Sequence, residues 1–182
     1  MNNQGLKVAS SSFYRVSLAS SESAKEILDL QKLAYQSEAR LYKNWNIPPL
    51  MQTLEEIEKE FLDHIFYKAV ISENIIGSVR AMVQDNTCFI GKLIVHPKLQ
   101  GKGIGTTLMD TIERDFKDVK RYELFTGTKS LENIHLYKRL GYKPFKEEKI
   151  NDCLSLLYFE KENKIYGKSS YQTYTSTSFS TR

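Results

Sequence analysis

Between Val95 and Ile112 the chain reads VHPKLQGKGIGTTLMDTI. Gly101, Gly103 and Gly105 alternate where an apolar run has stopped at Pro97 and a helical pattern is about to begin. Glycine in regular structure costs about 0.5–1 kcal/mol relative to alanine, so three of them call for a reason. Without a Cβ, backbone N–H groups can converge on a ligand. At a helix start those groups and the macrodipole favour an anion, and a phosphate is the natural guest. The pattern is not G-x-x-x-x-G-K-[ST], which disfavours a P-loop. It is not G-x-G-x-x-G either, because Thr106 and Leu108 stand three beyond Gly103 and Gly105. The glycines taken alone also fit a tight strand-to-helix turn with no ligand.

The elements that must position this turn follow from periodicity. Residues 13–19, FYRVSLA, read as a strand. A helix is expected from Ser21 to Tyr42, capped by Ser21 or Ser23, with Ile27, Leu30, Ala34 and Leu41 on its apolar face. Glu38 falls on that same face. Pro48 and Pro49 end the helix, and TLEEIEKEFLDH predicts a second one with Thr53 and Glu56 as a capping box. FYKAVI, IIGSVRAMV and TCFIGKLIV read as an antiparallel meander. The glycine turn comes next, then a helix from Gly103 to Phe116 with Ile104, Leu108, Ile112 and Phe116 inward. RYELFTG is a strand, and SLENIHLYKRL a helix that Gly141 ends. KPFKEEKI and CLSLLYFEK form a closing hairpin. The order β-α-α-β-β-β-α-β-α-β-β implies an α/β (α+β) fold. Its sheet is mixed and mostly antiparallel, with about six or seven strands and helices on both faces. Because the strand before the glycines belongs to a meander and not to a βαβ unit, a dinucleotide fold is disfavoured.

The 182 residues fit one domain. It is expected over residues 13–162, between a flexible segment 1–12 and a disordered Ser/Thr/Tyr-rich tail 163–182. Hydrophobic content of 41% and charged content of 26% are ordinary for a soluble globular chain. No run is long enough for a membrane span and no secretory h-region is visible, so the chain reads as cytoplasmic. Most of the formal charge of +4 sits beyond residue 160, on Lys161, Lys164, Lys168 and Arg182 against Glu162. The near-neutral body argues against a nucleic-acid partner. Cys88 and Cys153, both in strand-like stretches, read as buried reduced thiols. His64, His96 and His135 lie far apart, so no metal site is expected.

Two motifs, Gln100-Gly-Lys-Gly-Ile-Gly105 after Leu93-Ile-Val95-His-Pro97, and Asn133-Ile-His-Leu-Tyr137-Lys-Arg-Leu-Gly141-Tyr142, occur in order. Together they resemble the acyl-CoA-binding signature Q/R-x-x-G-x-G/A and the second motif of the GNAT superfamily of N-acetyltransferases. The resemblance implies acetyl-CoA as cofactor, splayed central strands and, as in many members, a homodimer. Backbone amides of Gln100, Gly101, Lys102, Gly103, Ile104, Gly105 and Thr106 would hold the pyrophosphate. Leu93, Ile94 and Val95 would pair with the pantetheine arm, a backbone N–H near Val95 would polarise the thioester carbonyl, and Asn133 would touch the arm. Tyr137 would protonate the departing thiolate.

The acceptor would be a primary amine of a small molecule, amino acid or protein. At pH 7 an amine with a pKa of about 10.4 reaches its neutral form at a cost of roughly 4.6 kcal/mol, so a base is useful. Many family members carry a glutamate on the strand before the glycines. Here Cys88 to Pro97 contains no carboxylate, and Lys92 lies in the strand. Glu38 is the candidate base, from the segment that lines the acceptor site in that family. Arg80 is the candidate for an acidic acceptor group. The alternative is a non-catalytic acyl-CoA-binding sensor or regulatory module.

Overall fold

The computed structural model of the protein describes residues 14–164 and 166. Seven strands among them form one sheet in the order β1-β2-β3-β4-β5-β7-β6. They are β1 (Arg15–Leu18), β2 (Ile65–Ile71), β3 (Asn74–Gln84), β4 (Thr87–Val95), β5 (Arg121–Gly127), β6 (Lys143–Lys149) and β7 (Ser155–Glu162). Only β4 and β5 run parallel; the other neighbours are antiparallel. The helices are α1 (Ala24–Ala34), α2 (Gln36–Tyr42), α3 (Pro48–Met51), α4 (Leu54–Glu60), α5 (Ile104–Asp115) and α6 (Leu131–Arg139). This is the mixed, mostly antiparallel architecture that the element order implied.

Helices cover both faces. On one, α5 and α6 bury Ile104, Leu108, Ile112, Ile134 and Tyr137 in the larger core. On the other, α1 and α4 bury Ile27, Leu30 and Ile57 against Phe66, Ile75 and Ile94. Adjacent residues on β2, Phe66 and Tyr67, point into different cores, as a strand's period of two requires. α5 sits close to β3 because Gly77 has no side chain: a Cβ there would lie 3.0 Å from Ile104 Cγ2.

Three local expectations need correction. The helix expected over Ser21–Tyr42 is broken at Tyr35, whose ψ of −4° tightens the turn. Ser37 Oγ donates to the Ala34 carbonyl at 2.9 Å, the kind of local bond that competes with a helix ladder. The break rotates the inward face, so Ala39 and Tyr42 are buried and Leu41 is exposed. Neither Ser21 nor Ser23 caps the helix by its side chain; Ser23 Oγ instead accepts from Lys68 Nζ at 2.8 Å. Cys88 is buried as expected, but Cys153 is exposed. It lies in a turn where Asn151 Oδ1 accepts from the N–H groups of Cys153 and Leu154, before β7 begins.

The Thr53–Glu56 capping box is present in both directions. The expected segment 1–12 lies outside the described residues, as does most of the tail. Within the tail, Asn163 is anchored, its amide donating to the carbonyls of Lys117 and Val119.

Candidate active site

The sheet opens where β4 and β5 part. Their pairing covers only Thr87–Phe89 against Arg121–Glu123, and β4 runs on to Val95 without β5 as a partner. At the mouth of this gap the chain turns from β4 into α5. Gly101 and Gly103 have φ of +73° and +82°, the left-handed region that side chains with a Cβ adopt at a cost. A Cβ on either would meet nothing within 4 Å, so backbone conformation demands glycine here, and the space above the turn is open. Gly105 is different. Its Cβ would lie 3.5–3.8 Å from Leu136, Leu93 and Val95, which is ordinary contact between α5, α6 and β4. The three glycines therefore do two jobs.

Gly103 occupies the N-cap position of α5, and its carbonyl accepts from Thr107 N–H at 3.0 Å. Among the described residues, no acceptor outside the helix takes the N–H groups of residues 101–106. The first N–H groups of a helix have no partner within it, so a row of unpaired donors faces the open space. Gln100 and Lys102 are exposed beside it, with Gln100 Nε2 3.4 Å from the Val95 carbonyl. Leu93 and Val95 are partly buried against the larger core, whereas Ile94 and Ile104 are buried and can offer a ligand their backbone alone.

Tyr137 comes from α6. Its ring packs near Tyr142 and Phe159, at 6.3 and 5.8 Å between centroids. Its hydroxyl has no hydrogen-bond partner among the described residues and is not among the unpaired atoms sealed from solvent. Burial, with Tyr35 and Glu38 nearby, pushes this phenol well above its ordinary range. Tyr35 is likewise raised, to about 12, by burial and then by Glu38, with Arg80 opposing. Tyr35 thus feels the opposing charges of Glu38 and Arg80.

Glu38 Oε2 accepts from Ser130 Oγ at 2.7 Å, which ties α2 to the start of α6. Asn133 Nδ2 reaches Thr126 Oγ1 at 3.4 Å, at the end of β5. Nearby, Tyr42 closes over Gly127: an added Cβ would lie 2.2 Å from its hydroxyl oxygen. That hydroxyl accepts from Lys129 N–H at 2.8 Å. Gly127→Ala must push the ring aside and is expected to destabilise the fold by about 1–3 kcal/mol, read by urea unfolding. Adding Tyr42→Ala should recover part of the loss.

Sequence reasoning missed a buried polar cluster under α4. Arg80, the candidate for an acidic acceptor, is ion-paired with Glu60. Lys92 Nζ donates to Gln52 Oε1 and lies 3.5 Å from Glu60 Oε1. Gln52 donates to Glu60 at 2.8 Å and accepts from Gln31 Nε2 at 2.9 Å. Lys92 points here because β4 bulges. Between the pairs Ser78–Ile94 and Arg80–Gly91, β4 holds one residue more than β3, and Lys92 takes φ +45°. Gly91 beside a lone lysine in an apolar strand was the available signal.

Burial first, then Arg80, lowers the Lys92 ammonium from an ordinary 10.5 to about 7, with Glu56 opposing. Between these values the unfolded chain holds more protons than the folded one. Stability should therefore rise with pH from about 7 towards 10.5, by up to about 1.4 kcal/mol per pH unit. Urea unfolding at a series of pH values should show this slope, and Lys92→Met should remove it.

An open central gap beside an anion-seeking helix start defines an acetyltransferase-type fold. A family model described as "Acetyltransferase (GNAT) family" matches residues 25–142, and the chain belongs to that family. Family and fold support acyl transfer with an acyl-CoA donor. Among solved structures, the PaiA N-acetyltransferase of Thermoplasma acidophilum in complex with coenzyme A is similar, with a TM-score of 0.68 and 16% identity over 82% of this chain and 99% of that one. The ribosomal-protein-S18-alanine N-acetyltransferase of Escherichia coli has a TM-score of 0.68 and 13% identity over 87% of this chain and 99% of that one. At such identities the likeness is one of fold. The UPF0157 protein YqkA of Bacillus subtilis (strain 168) is 26% identical over 136 residues, 75% of this chain but 39% of that protein. The chain thus spans about two fifths of that relative's length. No helix among the described residues is long and apolar enough to cross a membrane.

Proposed function

We propose that the protein moves an acetyl group from acetyl-CoA to a primary amine by direct attack. The observation that carries this reading is the row of unpaired N–H groups at the start of α5, set at the mouth of the β4–β5 gap. It suits a pyrophosphate, and coenzyme A is bound by the similar PaiA protein. In this reading the amides of residues 100–106 hold the phosphates, with Lys102 adding a cation. The free edge of β4 at Leu93–Val95 pairs with the pantetheine arm, and Asn133 borders it. When bound, acetyl-CoA supplies the acyl carbon and a thiolate leaving group.

Tyr137 brings the only chemistry the leaving group needs, a hydroxyl donor with no competing partner. Glu38 is part of the same arrangement: after burial and Tyr35 its charge also favours the protonated Tyr137, and its bond to Ser130 ties α2 to α6. The acceptor amine enters from the side of α2, which carries Glu38.

The test is release of free thiol from acetyl-CoA in the presence of an amine panel of L-amino acids, spermidine and peptides with free N-termini. Amine-dependent release is expected for at least one class. Tight acetyl-CoA binding without release from any amine would favour the sensor reading instead.

A further inference from the structure

Lys92 is drawn into the α4 side of the sheet, and the fold uses a bulge and a left-handed residue to turn it inward. Its surroundings are unbalanced in charge. Arg80 from β3 and Lys92 from β4 share a single close carboxylate, Glu60 on α4. Glu56, also on α4, acts from further off. Gln52, between α3 and α4, and Gln31, on α1, complete the cluster and bring no charge. With Lys92 as an ammonium, the close set carries an excess positive charge in a half-buried place. With Lys92 as a neutral amine, Arg80 and Glu60 balance. A buried charge without its own counter-ion is unfavourable, and the group responds by neutralising.

The cluster adjoins the proposed chemistry. Lys92 itself lies on the stretch of β4 beyond Phe89 that runs along the gap without β5 as a partner. Arg80 and Glu38 act electrostatically on Tyr35, and Tyr35 and Glu38 on Tyr137. No carboxylate stands on β4 to take a proton from the acceptor; Glu38, on α2, accepts one hydrogen bond from Ser130.

We infer that Lys92 is the proton acceptor for the incoming amine. This rests on the acetyltransferase reading above. The acceptor ammonium gives one proton to Lys92 Nζ and becomes a free amine. Its lone pair attacks the thioester carbonyl carbon, a C–N bond forms and the C–S bond breaks. The sulfur leaves with the electron pair and takes the Tyr137 proton. The new amide nitrogen sheds its surplus proton, which restores Tyr137 through solvent, and Lys92 returns its own proton to water. One proton is released overall. The lowered affinity of Lys92 for its proton, to about 7, suits a base working at neutral pH.

The test has two parts. The first follows the side-chain Cε and Nζ signals of the lysines by NMR in the full chain between pH 5 and 11, with Lys92→Arg to identify the Lys92 signal. A midpoint near 7 is expected; a midpoint above 9.5 overturns the inference and leaves the acetyltransferase reading intact. The second records kcat/KM against pH with a turned-over amine of the panel, for wild type, Lys92→Met and Lys92→Arg. Wild type should show an acidic limb near the NMR midpoint, absent from both variants, with the rate at pH 7.5 lower by tenfold or more. Recovery of the rate and of the limb by Lys92→Arg, which keeps the charge but offers no base, would make Lys92 a packing residue and overturn the inference. If the wild type turns over no amine at all, the acetyltransferase reading fails first, and the catalytic role of Lys92 falls with it even where the NMR midpoint is near 7.

Discussion

Gly103→Trp is expected to weaken acetyl-CoA binding at least 100-fold, about 2.7 kcal/mol, with little change in the fold. Gly103 sits at φ +82°, and a residue with a Cβ there strains the turn by roughly 1–2 kcal/mol. That strain re-aims the N–H groups that follow it. The indole also fills space that is open above the turn, where a phosphate must come close. The core is not touched, because nothing lies within 4 Å of the substituted position. Gly103→Asn separates the two effects. Asparagine tolerates the left-handed region better than other residues with a Cβ and is far smaller, so it should bind more weakly than wild type and more tightly than the tryptophan variant. Calorimetric titration reads both.

Tyr137→Phe is expected to lower kcat by about 10²–10⁴ while acetyl-CoA affinity stays within a few-fold. The hydroxyl makes no hydrogen bond among the described residues, so its removal leaves no donor or acceptor stranded. The ring, buried against Phe159 and Tyr142, keeps its packing. A large rate effect with unchanged stability is therefore the signature of chemistry at the oxygen. A variant that binds acetyl-CoA normally and turns over amines at the wild-type rate would remove Tyr137 from the mechanism. Because burial, Tyr35 and Glu38 hold the phenol in its protonated form, Tyr137 should add no alkaline limb to the rate profile near neutral pH. Steady-state kinetics across that range checks this directly.

The order of elements was legible because periodicity and punctuation agree along the chain. Pro97, Gly103 and Gly141 mark boundaries by their backbone demands, and the structure places all three at element ends. The alternating glycines were readable as a group but not individually. Only φ distinguishes Gly101 and Gly103, which need the left-handed region, from Gly105, which makes room for Leu93 and Leu136. The break at Tyr35 escaped notice because periodicity alone runs through it. At the break, the Ser37 hydroxyl donates to the Ala34 carbonyl.

The polar cluster was illegible for a different reason. Gln31, Gln52, Glu60, Arg80 and Lys92 come from five separate places in the chain. Each taken alone reads as a surface residue. Only the packing of α4 over β3 and β4 turns them into a half-buried set, and local pattern carries no trace of that packing. Arg80 shows the consequence: its charge, free for an acceptor on the sequence reading, is already met by Glu60.

The most direct test of the central claim is an amide NMR titration of the protein with acetyl-CoA. The largest shifts are expected at the N–H groups of Gly101, Lys102, Gly103, Gly105 and Thr106, with a second set along Leu93 to Val95 and at Asn133. No shifts, or shifts gathered away from the start of α5 and the β4–β5 gap, would contradict the account: the glycines would then only shape a turn, and the resemblance to acetyltransferases would be one of fold.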